Sequence, residues 1–398
     1  MTGPRESFGR RAFVSSHAVA CALGADKRAV AEALFSAAPS TVGGRWTLAD
    51  GRQVPVGALG FELPPVDFKD RLIRSRSNRL LAHTLADIDG PVALAVSRYG
   101  AHRVGVVLGT STSGVDEGGQ ALRRRLAEGA WPDGYHFDVQ ELDDPVAVAQ
   151  LLTGATGPAY AVSTACTSGA KAIAAGARLI AADLCDAVIC GGIDTLCDLT
   201  VNGFGSLEAL SDQVTNPFSV NRRGINIGEG AGLFLLTIDE APVRVAGWGE
   251  TSDAHHISAP DPTGAGAEGA ARKALAMAGL SPADIGYVHL HGTGTELNDR
   301  MESGAVNRVF GPDMPCSSTK PLTGHTLGAA GAVQSSFCLL AFEAGGALPP
   351  HIWDGERDPE LAQVNLAAPG DRVPSLKHAL SASYAFGGNN AAIILAHA

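Results

Sequence analysis

Apolar and polar positions along this chain recur in one order: a short apolar run, a turn of glycine or small polar residues, then a longer apolar stretch at helical spacing. Residues 12–37 read as a strand, a turn at Gly24 and an amphipathic helix containing AVAEALFSA. Residues 102–109 (HRVGVVLG) read as a buried strand that ends in the polar turn TSTSG. Ala159–Val162 reads as a strand leading through Ser163 and Thr164 into VSTACTSGAKAIAAGARLIAA, whose only charged members are Lys171 and Arg178. That stretch is apolar almost all round, which predicts a buried helix. A strand from Ala187 to Cys190, a turn at Gly191 and Gly192, and a largely helical segment over 196–210 repeat the pattern. Residues 221–238 (NRRGINIGEGAGLFLLTI) then run from a glycine-rich loop into an apolar strand.

A second series starts near residue 242. It has a strand over 242–249, an alanine-rich helix over Ala265–Ala278, and a strand over 285–290 that delivers HGTGTELNDRME. A strand in PCSST then delivers Lys320 and PLTGHTLGAAGA, and the chain closes on a hairpin-like pair, HALSASYAFGGNNAAIILA, turning at Phe386. Alternating strands and helices of this kind predict an α/β architecture with buried sheet. The division falls softly near residue 240, giving halves of 1–240 and 241–398.

Composition narrows the function classes. A chain of 398 residues with 45% hydrophobic content can bury a large core. Its net charge of −11 argues against nucleic acid as the main partner. The sequence offers no run suited to crossing a membrane and no signal-peptide pattern, and its seven cysteines form no CxxC pair, which suits a reducing cytoplasm. Cys185, Cys190 and Cys197 lie on different elements in apolar surroundings, so no zinc site, and no other metal site, is expected. One local exception to the acidic balance is the basic group Lys69, Arg71, Arg74, Arg76 and Arg79, read on a helical stretch. It is either an ordinary solvated face or a docking patch for an acidic partner.

Candidate chemistry gathers at strand ends. Cys166 stands at the start of the apolar helix, where unpaired N–H groups and the helix dipole favour a thiolate nucleophile; taken alone, a cysteine in such a setting is far more often a small core residue, and the other segments change that balance. His291 and His325 each stand beside glycine, and Lys320 precedes His325 by five residues. A thiol, two such histidines and a lysine suggest acyl transfer. His289, by contrast, lies on an apolar strand and reads as a satisfied core residue.

Together, TACTSG at Cys166, HGTGT at His291, STKPLTGHTLGAAGA across Lys320 and His325, and YAFGGNN at Phe386 resemble the elongating β-ketoacyl-acyl-carrier-protein synthases, condensing enzymes of the thiolase superfamily. The resemblance runs in the family's motif order from about residue 100 onward. It implies a thiolase fold, five layers α-β-α-β-α built from two similar halves, assembled as a homodimer or a closely related heterodimer. By the same resemblance Cys166 takes an acyl chain from a carrier-protein phosphopantetheine thioester. His291 and His325 hold the malonyl thioester carbonyl as carbon dioxide leaves, and Lys320 orients His325 and tunes its protonation. Glu302 is an acid near that lysine, the N–H groups of Cys166 and Phe386 form an oxyanion hole, and Phe386 is a gate. No cofactor is implied beyond the phosphopantetheine carried by the acyl carrier protein. An initiating synthase would carry Asn in place of His325, and a degradative thiolase a second catalytic Cys in the turn that here reads AFGGNN.

Departures bear on substrate choice. The family pattern has an aromatic residue at Ile225, an acid at Arg223 and glycine at Asn298. Ile225 and Asn226 are therefore expected to reshape the pocket near Phe386, with Phe204 beside it, and Thr112 or Ser113 either to make the far end of an acyl tunnel polar or to serve as turn residues. With SRSNRLL and SDAHHISAPDP, these departures also resemble ketosynthases of bacterial aryl polyene clusters, which implies a rigid conjugated acyl chain and a heterodimeric partner. The alternatives are a non-catalytic chain-length-determining partner of such a heterodimer and a protein that merely docks carriers.

Overall fold

The computed structural model describes residues 9–36, 40–68 and 71–397. One sheet of eleven strands runs through it in the order Asn365–Leu366, Pro315–Ser317, Tyr287–His289, His378–Ala385, Asn389–His397, Val243–Ser252, Phe13–Cys21, Gly230–Thr237, Ala187–Asp194, Val104–Gly109, Ala159–Val162. Its two ends repeat one another. From Phe13–Cys21 outward, the successive pairings are antiparallel, antiparallel, parallel and parallel. From Val243–Ser252 outward in the other direction they are the same. The halves meet where Phe13 pairs with Arg244.

The helices complete five layers. Ser168–Ala181 and Ala330–Glu343 pack on each other and on strands of both halves, forming the central layer. Arg76–Ala86, Asp89–Tyr99 and Asp144–Thr153 cover the outer face of the first half, while Ala265–Ala278 and Glu296–Phe310 cover that of the second. Small side chains make the middle layer possible. A Cβ on Gly331 would meet Ala170 N at 2.7 Å, and one on Gly169 would meet Gly328 O at 2.9 Å, so the two central helices approach closely beside Cys166 and His325. Being enclosed on all sides, Ala330–Glu343 is buried from its first residue to Phe342.

Two local expectations change. Gly191 and Gly192 do not turn the chain but continue the Ala187–Asp194 strand; a Cβ on Gly191 would meet Gly232 O at 2.0 Å, so glycine serves close packing there. The basic stretch is not one helix: Val66–Phe68 and Arg71–Ile73 pair as a hairpin, and the helix Arg76–Ala86 starts after Ser75, whose hydroxyl accepts from Asn78 N at 3.2 Å. No single helix among the described residues is long and apolar enough to cross a membrane.

Candidate active site

Three loops at strand ends converge on one cavity of about 480 Å³, lined among others by Cys166, His291, His325, Phe386, Phe204 and Ile225. The first loop follows Ala159–Val162. Ala165 takes a left-handed φ of 51°, and Thr164 N donates to Ser168 Oγ at 2.9 Å, which together make the sharp bend that presents Cys166 just ahead of the Ser168–Ala181 helix. The second follows Tyr287–His289 and carries His291. Its backbone is fixed by Glu302, which accepts from His291 N at 2.6 Å and Gly292 N at 2.7 Å. The third follows Pro315–Ser317 and carries Lys320 and His325. His325 N donates to Asn226 O at 2.7 Å and His325 O accepts from Gly228 N at 2.9 Å, so the glycine-rich loop of the first half holds a histidine of the second.

Cys166 Sγ lies 3.0 Å from His325 Nε2, and the imidazoles of His291 and His325 meet edge to face with centroids 5.1 Å apart. All three residues are buried. Burial first, then the Lys320 charge, holds both imidazoles well below the usual histidine range, so both are neutral at pH 7. Burial pushes the Cys166 thiol up to about 12. Lys320 and the backbone N–H groups of Cys166 and Phe386 act in the opposite direction, and Asp194 adds to the rise. The group expected as a helix-start thiolate is therefore a thiol at rest: desolvation outweighs the helix terminus, and His325 is the neighbour placed to receive its proton.

Lys320 acts on His325 through its charge, as expected, but its hydrogen bond goes to the other histidine's loop. Its Nζ donates to His291 O and, at 3.4 Å, to Gln334 Oε1, so its hydrogen bond fixes the His291 loop, while its charge reaches both histidines. Burial lowers the Lys320 ammonium and raises the Glu302 carboxyl, each partly offset by the other's charge. Two members of this network had no assigned role. Asn298 donates to Glu302 Oε2 at 3.1 Å and holds the acid in place. Gln334 donates to Leu290 O and Ala382 O at 3.2 and 2.9 Å; the signal for it was an amide inside an otherwise small and apolar helix.

At the mouth, Phe386 is 36% exposed and stacks on Phe204 with centroids 5.4 Å apart. Gly387 N donates to Ile257 O at 2.7 Å and Asp253 N to Gly388 O at 2.8 Å, tying the turn to the 253–257 loop. Ile225 lines the cavity as expected, but Asn226 does not. Its side chain accepts from Thr215 N at 2.7 Å and donates to Gln213 O at 2.9 Å, so it shapes a loop rather than the pocket. Thr112 and Ser113 also turn inward, their hydroxyls bonded to Asp194 and to Glu141 O, which leaves neither to make a tunnel end polar. His289 is a core residue, bonded at both ring nitrogens to Leu290 O and Thr319 Oγ1. All seven cysteines are free.

The basic group divides. Lys69 and the side chain of Arg71 lie outside the described residues. Arg76 grips the buried Glu229 through both oxygens at 2.8 and 2.6 Å, and Arg79 donates to Leu63 O at 2.9 Å, so these two guanidiniums hold the fold together and do not form a free patch. Arg74 is exposed. As a donor set, the Cys166 sulfur and one nitrogen of each histidine lie within 4.8 Å of one another, a grouping that could also attract a soft divalent ion. The Lys320 charge beside it opposes any cation.

Comparison with known proteins bears directly on this constellation. Residues 92–241 match the model of the β-ketoacyl synthase N-terminal domain, and residues 243–352 that of the C-terminal domain. The chain belongs to the β-ketoacyl synthase family. Nodulation protein E of Rhizobium meliloti (strain 1021) is 32% identical over 353 residues, covering 85% of this chain and 87% of the relative. A 3-oxoacyl-[acyl-carrier-protein] synthase 2 of Staphylococcus aureus is 31% identical over 320 residues, covering 76% and 79%. Among solved structures, a chain from the complex of a ketosynthase (ApeO) with its chain length factor (ApeC) from Xenorhabdus doucetiae superposes with a TM-score of 0.91 at 41% identity, over the full length of both. This β-ketoacyl synthase thus has the thiolase fold that its motifs implied, and it is an acyl-transferring condensing enzyme.

Proposed function

We propose that this synthase extends a carrier-bound acyl chain by two carbons through decarboxylative Claisen condensation, with Cys166 as the group that is acylated. One observation carries the reading: the Cys166 sulfur sits 3.0 Å from a neutral histidine nitrogen, and the N–H groups of Cys166 and Phe386 act on that same sulfur. In the first step the Cys166 proton passes toward His325 and sulfur attacks the thioester carbonyl. The oxyanion meets the two N–H groups, and the carrier thiol leaves with a proton. In the second step the carbonyl of a malonyl thioester lies against His291 and His325. Once the carrier thiol has left with the Cys166 proton, the remaining His325 proton moves from Nδ1 to Nε2 by exchange with solvent, and with Nε2–H donors aimed at that oxygen both histidines stabilise the enolate formed as carbon dioxide departs. The enolate carbon attacks the acyl-Cys166 carbonyl, and the sulfur leaves as thiolate and takes a proton from solvent, one proton being consumed for each carbon dioxide released. Burial and then the Lys320 charge disfavour the imidazolium, so the proton taken up by His325 in the first step is passed on readily and both rings are neutral between steps.

The substrates are thioesters on an acyl carrier protein, whose phosphopantetheine is the only prosthetic group required, and the enzyme works in the cytoplasm. The 41% likeness to the ApeO–ApeC complex supports a heterodimer with a related ketosynthase-like chain and, with the departures around Ile225, a polyene rather than a saturated acyl chain. That complex also keeps in view the second reading, a chain length factor. Cys166, His291 and His325 around one cavity, with Lys320 bonded behind His291, favour the catalytic member. Intact-protein mass spectrometry tests this: wild type and Cys166→Ala are incubated with saturated and polyene acyl-carrier thioesters, and malonyl-carrier is then added. An adduct on the wild type alone, discharged with carbon dioxide and a product two carbons longer, is expected. No adduct from any donor, with or without a candidate partner chain, would favour the non-catalytic reading.

A further inference from the structure

Asp194 ends the Ala187–Asp194 strand and is fully buried. Its Oδ1 accepts from Thr110 Oγ1 at 2.8 Å, Ser111 N at 2.7 Å, and Thr112 N and Oγ1 both at 2.8 Å. Its Oδ2 accepts from Ala329 N at 3.2 Å. Four of these donors come from the turn after Val104–Gly109 in the first half. The fifth comes from the second half, at the head of the Ala330–Glu343 helix just beyond His325. Leu327 in that second turn holds a left-handed φ of 48°, a strained state for a side-chain-bearing residue. A Cβ on Gly328 would meet Asp194 Oδ2 at 2.7 Å and Ser111 Oγ at 2.8 Å, so glycine is needed for the two turns to close on the carboxylate.

Burial raises the Asp194 carboxyl, and its hydrogen bonds from Ser111, Thr112 and Thr110 act against that rise. What the five donors accomplish is geometric. The first turn is fixed to the strand that leads to Cys166 through Thr110 N, which donates to Val162 O at 3.3 Å, and the second turn continues directly from His325. One side chain therefore spans the elements that present the sulfur and the imidazole.

We propose that Asp194 is a positioning residue for both halves of the site: its carboxyl ties the turn after Val104–Gly109, which is bonded to the strand leading to Cys166, to the turn that follows His325. The kcat readout rests on Cys166 being the acylated group; the alkylation readout does not. The test compares wild type, Asp194→Asn and Thr112→Val, measuring kcat and KM of condensation and the rate of Cys166 alkylation by iodoacetamide. Asp194→Asn keeps an acceptor oxygen for the first turn but sets an amide N–H against Ala329 N, so the bond between the halves is lost, and kcat should fall about tenfold with KM unchanged. Thr112→Val removes two hydrogen bonds, to Asp194 at 2.8 Å and from Thr195 N at 3.2 Å, but leaves the bond to Ala329, so its loss of kcat should be smaller. Unchanged kcat in Asp194→Asn would overturn the proposal. If that variant does not fold, unchanged kcat in Thr112→Val overturns it. Wild type that is alkylated at Cys166 but takes no acyl group would sink the synthase reading and leave the alkylation rate, which should change several-fold in Asp194→Asn, to decide this one.

Discussion

The strands Ala159–Val162 and Pro315–Ser317 hold matching places in the two halves, and each feeds a loop and then a helix of the central layer. Yet one loop delivers a sulfur and the other an imidazole and an ammonium. The first loop is short, 163–167, and a single left-handed residue, Ala165, sets the direction of Cys166. The second is long, 318–329, with its own turn of helix over Lys320–Thr323. It has room for two functional side chains and for Lys320 to reach across to the His291 loop. A repeated scaffold has thus been given separate tasks: the first half presents the group that forms a bond, and the second tunes charge around it.

That division can be broken experimentally. The largest effects should come from the reacting groups. Cys166→Ala should reduce acyl transfer on the order of 10⁴-fold while leaving slow decarboxylation of malonyl-carrier detectable. His291→Ala should do the reverse, with the acyl adduct intact and carbon dioxide release down about 10²–10³-fold. Equal loss of both steps in either variant would refute the separation. Next comes Lys320→Met. Because Lys320 holds both histidines down, removing it should let them rise, and the acid limb of the decarboxylation profile should move to higher pH; an acid limb left in place would mean burial alone keeps them neutral.

Stability sharpens the comparison further. Glu302 accepts two backbone N–H groups of the His291 loop, and Glu302→Gln should cost about 1–3 kcal/mol in denaturant unfolding. Burial raises the Glu302 carboxyl in the folded state to about 7. The folded protein therefore holds that proton more tightly than the unfolded chain, and the associated stability is present at low pH and lost as pH rises toward 7. The glutamine variant should lose that pH dependence. The smallest effect separates two neighbouring arginines. Arg76→Ala should cost about 2–3 kcal/mol by leaving Glu229 buried and unpaired, partial exposure of Arg76 moderating the loss. Arg74→Glu should leave the unfolding midpoint alone and raise the apparent KM for carrier substrates about two- to fivefold, as expected of one exposed charge. A Tm drop in Arg74→Glu, or none in Arg76→Ala, would reverse the assignment.

Much of this was legible in the order of residues. The helix over Ala265–Ala278 and the strand over Ala159–Val162 fall where the hydrophobic pattern placed them, because each is bounded by glycine or by polar residues that break the period. The cavity gathers Cys166, His291, His325, Phe386, Phe204 and Ile225, the residues that the motifs singled out. What misled were residues whose local signal has two meanings. Glycine pairs mark turns and also close packing, and Gly191–Gly192 proved the latter. A run of arginines reads as a surface, but Arg76 turned inward to a carboxylate 153 positions away and Arg79 to a carbonyl 16 positions away. Asn226 and Thr112 looked like pocket polarity, and their hydrogen bonds lead elsewhere.

The sequence by itself determined the alternation of strand and helix, the family and the identity of the reacting side chains, since these depend on periodicity and on residue types in fixed local order. Tertiary structure decided the rest. Only folding brings Cys166 within 3.0 Å of a nitrogen on a residue 159 positions away, and burial there pushes the thiol up and the imidazoles down from their ordinary ranges. Protonation states belong to the environment: desolvation and the charges of Lys320 and Asp194 act through space, and no local stretch of chain contains them together.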